Sequence, residues 1–192
     1  MIAAFCAQES TAVVRGPELD VLTRFALAAK ATSADIVVRV TADCPLLEPA
    51  LVDQAIEAFR SGECDYLSNM CPPTWPYGMA VEVMTRKVLD EAAAEAHDPT
   101  EREHVTPFLY WRPARYRLRS ITRAPDLSAQ RWTVDTPEDF ELVSRILDAL
   151  YPVTPEFTVE DVLALLEQHQ DWNEINRHVE QKTVAASNQE TR

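Results

Sequence analysis

Glycine is scarce in this chain, with Gly16, Gly62 and Gly78 the only three among 192 residues. Phosphate cradles of the Walker and dinucleotide-binding kinds need closely spaced glycines to bring backbone amides onto a ligand, so neither is present. Cysteine is thinly and irregularly placed. Cys6, Cys44, Cys64 and Cys71 make no C-x-x-C pair and stand at no zinc spacing from histidine, and we expect reduced, mostly buried thiols. Positive charge is in deficit, with 18 Lys and Arg against 31 Asp and Glu and a net charge of −13. That balance argues against a nucleic-acid partner. Small anions are still admissible, because local arginines or a bound metal can reverse the field inside a cleft. No apolar run is long enough to cross a bilayer, and residues 1–8 lack the basic start and apolar core of a signal peptide. A soluble, cytoplasmic protein with no membrane partner is expected.

What is present reads as an α/β chain of one domain's length. Residues 12–15 (AVVR) predict a short strand closed by Gly16-Pro17, and residues 18–31 a helix with Val21, Leu22, Phe25, Ala28 and Ala29 inward. Residues 35–40 (DIVVRV) are β-branched and nearly all apolar, the pattern of a buried parallel strand. Pro45 ends it, and Pro49 opens a helix over residues 50–59. Strands are then predicted at 65–68 and 80–85, around a proline-broken loop at 71–78, with a helix at 88–96. Residues 100–111 predict a helix with a Thr100/Glu103 capping box, kinked or split by Pro107, and residues 115–122 an edge strand. After a strand end at 132–135, Thr136 caps a helix with Pro137 at its first position and Asp139 at its third. A further helix over 159–168 and the stretch 172–178 complete a domain spanning 1–182, with 183–192 expected as a disordered tail.

Two acids stand out by position. Asp43 follows the carboxyl end of one apolar strand and Asp135 ends another, where open α/β sheets bind ligands. If the two strand ends meet, the pair can share a magnesium ion, which takes one or two carboxylates and completes its shell with water and phosphate oxygens. Each acid has an equally simple structural use, as a turn former or as the residue before a helix cap.

VVRGPELDVLTRF, DIVVRVTADCPLLEPALVD, EREHVTPFLY, RWTVDTPEDFELV and EINRHVEQK occur in that order over residues 10–182. Together they resemble the cytidylyltransferase family of spore coat polysaccharide biosynthesis protein F and the acylneuraminate and CMP-KDO synthetases. The resemblance implies a three-layer nucleotidyltransferase fold, of the nucleotide-diphospho-sugar transferase kind, with a mixed sheet. It implies Asp43 and Asp135 as catalytic metal ligands and Mg2+ as cofactor. The implied reaction is attack of the anomeric hydroxyl of a 2-keto-3-deoxy sugar acid on the α-phosphate of CTP. Arg39, Asn69, Glu82, Arg102 and His104 are the candidate substrate contacts. The structural alternatives are a carboxylate partner for Arg39, a capping box for Glu103, and a hydrogen-bonded ring for His104.

Family members open with a strand and a basic loop of the R-x-G-S-x-R-L-P-G-K type, and nothing in residues 1–20 matches it. The expectation is therefore an N-terminally truncated copy, a split-gene half, or a chain whose true start lies upstream, lacking the first strand and inactive alone. A homodimer, or a partner supplying the segment, would cover the sheet edge so exposed. Where the family reads GLDVEV, this chain has Gly78-Met79-Ala80-Val81-Glu82-Val83, without the acid at position 80. The rival reading is a non-catalytic sugar-acid-binding or regulatory subunit.

Overall fold

The computed structural model describes residues 1–181; the expected tail at 183–192 lies outside them. The elements run α1 (Ile2–Gln8), α2 (Val21–Thr32), β1 (Ile36–Arg39), α3 (Pro49–Arg60), β2 (Tyr66–Ser68) and β3 (Glu82–Thr85). They continue with α4 (Arg86–Glu95), α5 (Pro99–His104), α6 (Pro107–Tyr110), β4 (Leu118–Ser120), α7 (Pro137–Leu150), α8 (Val159–Gln168) and a 3-10 turn (Gln170–Glu174). The mixed α/β class follows from the sequence as expected. The four strands lie in the order β1-β3-β2-β4, with β2 and β4 parallel and Tyr66 opposite Leu118.

The described chain divides into two compact units, each made of two separated stretches. The first holds residues 1–37 and 84–117. There α2 is capped by Asp20, whose carboxylate accepts from the backbone N–H of Thr23 at 2.9 Å. Leu22 and Ala29 are its buried positions, and it packs on α4 and α5. Pro107 splits residues 100–111 into α5 and α6, because a proline cannot donate into the preceding turn. The cap of α5 is Asp98, accepting from Thr100 N–H, rather than the expected Thr100; Glu103 is exposed and completes no capping box. Residues 12–15 form no strand, and Val13 and Val14 stay exposed.

The second unit holds residues 38–83 and 118–181. Its core gathers Leu51, Ala55 and Phe59 of α3, Leu67 of β2, Leu142, Val143 and Ile146 of α7, Val162 and Leu166 of α8, and Trp132 from the segment before α7. Helices α7 and α8 each open on a complete capping box, Thr136 with Asp139 and Thr158 with Asp161. Phe140 of α7 is exposed. Gly78 is the one glycine whose lack of a side chain the packing requires. Its φ is +107°, and a Cβ would lie 2.4 Å from the Thr133 nitrogen. That contact lets Tyr77 bridge the neighbouring segment, donating its N–H to Gln130 O at 2.8 Å and accepting from Trp132 N–H at 2.6 Å.

Two burial expectations are corrected. β1 is an edge strand with Ile36 exposed, because apolar composition reports an aptitude for burial and not a place in the sheet. Of the cysteines only Cys64 is buried; Cys6 and Cys44 are half-buried and Cys71 is exposed, and all four are free thiols.

Candidate active site

The expected strand end at 132–135 is not formed: Arg131 makes an isolated bridge with Tyr77, and residues 132–135 run irregularly into α7. The second unit nevertheless brings Asp43 and Asp135 together. Beyond β1 the chain turns at Thr41–Cys44, with Cys44 N–H donating to Thr41 O at 3.3 Å before Pro45 ends the turn. The backbone carbonyl of Asp43 accepts from Val134 N–H at 2.9 Å and from the Thr133 hydroxyl at 3.1 Å. Asp43 is therefore tied to the residue preceding Asp135. Both side chains are exposed, so neither is used up as a core ion pair.

Each acid has its own holder. The half-buried Cys44 thiol donates to Asp43 Oδ1 at 3.4 Å and contacts the Thr41 hydroxyl at 3.1 Å. Burial, with the negative charge of Asp43 beside it, pushes this thiol up to about 11 against the pull of Thr41, so it stays protonated and able to donate. Asp135 Oδ2 accepts from Arg131 Nη2 at 2.8 Å. Arg131 also stacks over the Tyr77 ring, 5.2 Å from its centroid. The Tyr77 phenol is raised by burial and then by the charge of Asp135.

Arg131 is in turn gripped by Asp139, which is fully buried. Arg131 Nε donates to Asp139 Oδ1 at 2.9 Å and Nη2 to Oδ2 at 2.7 Å, a fork that fixes the guanidinium plane. Asn176 Nδ2 donates to Asp139 Oδ1 at 2.8 Å and to Arg131 O at 2.9 Å. The N–H groups of Asp135 and Thr136 each donate to Asp139 Oδ2 at 3.1 Å. Burial pushes the Asp139 carboxyl up, but these bonds outweigh it and leave the group at about 2. Nothing singled out Arg131 or Asn176 in the sequence, and Asp139 was read only as a helix-capping residue. The available signal was the four-residue spacing of Arg131, Asp135 and Asp139 into a helix start.

The other candidate contacts are placed less openly. Arg39 is ion-paired with the buried Glu82, which also accepts from the Tyr66 hydroxyl, so Arg39 has found the structural carboxylate. Burial and the adjacent Glu82 charge raise the Tyr66 phenol well above its ordinary value. Asn69 is buried and clamps residues 79–81: its Nδ2 donates to Met79 O at 2.7 Å, and its Oδ1 accepts from Val81 N–H at 2.8 Å. Arg102 lies in the first unit with both terminal nitrogens engaged. Nη1 reaches Ala93 O at 2.8 Å and Ala96 O at 3.2 Å, and Nη2 reaches Asp20 at 2.5 Å and the Thr23 hydroxyl at 2.6 Å. His104 is half-buried in the last turn of α5. Arg102 and His104 thus belong to one unit, and Asp43, Asp135, Arg39, Asn69 and Glu82 to the other.

A cavity of about 360 Å3 lies beside the Asp139 hub, lined by Gln130, Arg131, Asn173, Asn176 and Arg177 among others. It shares Arg131 with the acid pair but includes neither Asp43 nor Asp135, so the acid pair is the stronger candidate for chemistry. No cluster of three or more His, Cys, Asp or Glu able to hold a metal occurs among the described residues. Two exposed carboxylates fit a magnesium ion that draws its other ligands from water and phosphate, and do not fit a closed protein cage.

A sequence model of the cytidylyltransferase family matches residues 1–188. The chain is 30% identical over 184 residues to an uncharacterized protein of Methanocaldococcus jannaschii, covering 95% of this chain and 74% of that one. It is 30% identical over 180 residues to spore coat polysaccharide biosynthesis protein SpsF of Bacillus subtilis, covering 89% and 71%. A solved cytidylyltransferase from Leptospira borgpetersenii superposes with a TM-score of 0.83 at 26% identity, covering 89% of this chain and 72% of that one. The chain belongs to the cytidylyltransferase family. The fold is that of a cytidylyltransferase, as the ordered motifs implied. No helix among the described residues is long and apolar enough to cross a membrane.

Proposed function

We propose that this cytidylyltransferase transfers CMP from CTP to an acidic 2-keto-3-deoxy sugar in the cytoplasm, supplying an activated sugar for surface polysaccharide. The observation that carries the reading is the backbone tie from Asp43 to Val134, which brings together the two chain segments that bear the exposed acids Asp43 and Asp135. In the reaction the anomeric hydroxyl oxygen bonds to the α-phosphorus, the bond to the β-phosphate bridge breaks, and pyrophosphate leaves. Asp43 and Asp135 would hold Mg2+, which when bound neutralises charge on the phosphate oxygens. Cys44 and Arg131 orient the two carboxylates. The SpsF relative supports the polysaccharide assignment, and CTP is the nucleotide the family name implies.

The test is mass detection of CMP-sugar after incubating the chain with CTP, magnesium and a panel of sugars. Product is expected with 2-keto-3-deoxy acids and not with neutral sugars, and is expected to disappear in Asp43→Asn and Asp135→Asn. Product from neutral sugars alone, or undiminished product in both variants, would overturn the proposal.

A further inference from the structure

We infer that Arg131 is a positioning residue, which holds the Asp135 carboxylate in the orientation that receives a divalent cation. The inference rests on the proposed role of Asp135 and extends it to a residue that the ligand itself does not touch. Arg131 is nearly buried, with 11% of its side chain exposed, whereas 45% of Asp135 is exposed. A half-exposed aspartate ordinarily samples several rotamers. Here Nη2 of Arg131 holds one carboxylate oxygen at 2.8 Å, while Oδ1 of Asp135 makes no hydrogen bond among the described residues.

The holder is itself bound on several sides. Asp139 takes two bonds from Arg131, one from Asn176 and two from backbone N–H groups, and Asn176 also grips the Arg131 carbonyl. Nη2 is shared between the buried Asp139 and the exposed Asp135, so rigidity passes from the core to the site through one nitrogen. Charge alone would make Arg131 a poor neighbour for a cation site, since a second positive charge repels the metal. The fork on Asp139 reconciles the two. It neutralises the guanidinium with a buried carboxylate and leaves Asp135 its own negative charge, in a fixed place.

Electrostatics and positioning have opposite signs in the test. The probe is Mn2+, its free concentration read by electron paramagnetic resonance during titration of the full chain with CTP and no sugar. Arg131→Lys keeps the charge but cannot span both acids. Arg131→Gln removes the charge. If Arg131 positions Asp135, Mn2+ affinity falls about 10-fold in both variants, with thermal melts confirming that they are folded. Unchanged affinity in Arg131→Lys, or tighter binding in Arg131→Gln, overturns the inference. Should both variants unfold, Asn176→Ser loosens the same hub without touching Asp135. A fall of about 3-fold then supports the inference, and no change overturns it. Asp135→Asn separates this inference from the reading beneath it. Affinity unmoved by Asp135→Asn refutes the cation site itself, whereas affinity lost there but kept in Arg131→Lys refutes only the role of Arg131.

Discussion

Replacing Asp139 by asparagine tests the hub beneath the site through stability alone. Asp139 is fully buried and held at about 2, against an ordinary 3.8, because the Arg131 fork, Asn176 and two backbone N–H groups outweigh its desolvation. At about 1.4 kcal/mol per pH unit, that depression amounts to about 2 kcal/mol of folding stability. The folded value lies below the unfolded one, so the contribution is complete above about pH 4 and is lost as pH falls through 2. Asp139→Asn removes it at every pH. It also leaves Arg131, nearly buried, with only the exposed Asp135 as a charged partner. Stripping one member from a buried pair typically destabilises by about 3 kcal/mol. Urea unfolding followed by tryptophan fluorescence should therefore show the variant about 3 kcal/mol less stable at pH 7. The gap between the two proteins should narrow by about 2 kcal/mol on approaching pH 2. A gap under about 0.5 kcal/mol at pH 7, or one that stays constant down to pH 2, would refute the reasoning.

Other outcomes follow from single contacts. Gly78→Ala should lower stability by at least about 3 kcal/mol or abolish folding, because its Cβ would meet the Thr133 nitrogen at 2.4 Å on a backbone already at φ +107°. Expression and circular dichroism report it, and a folded variant within about 1 kcal/mol would contradict it. Arg39→Met should cost about 3 kcal/mol by stranding the buried Glu82, and Arg39→Met with Glu82→Gln should recover most of that loss in a double-mutant cycle. Arg102→Gln should lower stability by about 2 kcal/mol, as α2 and α4 lose their shared donor. Cys44 should alkylate with iodoacetamide at pH 8 about 100-fold more slowly than an ordinary thiol, since a value near 11 leaves little thiolate; peptide mass mapping over time measures this.

Much of the fold was legible because local chemistry and tertiary packing agree. The Thr136-Pro137-Glu138-Asp139 helix start and the α8 boundaries fall where capping residues and 3.6-residue periodicity put them. Legibility failed where the outcome depended on distant partners. Residues 35–40 look fully buried by composition, yet β1 lies at a sheet edge. Residues 12–15 have the β-branched look of a strand but pair with no strand among the described residues, and are irregular. Thr100 lost its capping role to Asp98 because Pro99 fits the first helical position.

The candidate site was legible to the same degree. Asp43 and Asp135 could be marked as acids, although the strand expected before Asp135 does not form, and their meeting depends on the Asp43 to Val134 bond across some ninety residues of chain. The Asp139 hub was hidden, because its burial is completed by Asn176, 37 residues further on. Arg39 showed its need for a carboxylate partner in sequence, but only the sheet order, with β1 beside β3, selects Glu82.

Crystals soaked with Mn2+ and CTP, with anomalous scattering recorded at the manganese edge, put the central proposal to the most direct test. One anomalous peak is expected within coordination distance of a carboxylate oxygen from each of Asp43 and Asp135, adjoining CTP phosphate density. A peak that contacts neither acid, or CTP bound with no manganese beside them, would contradict it.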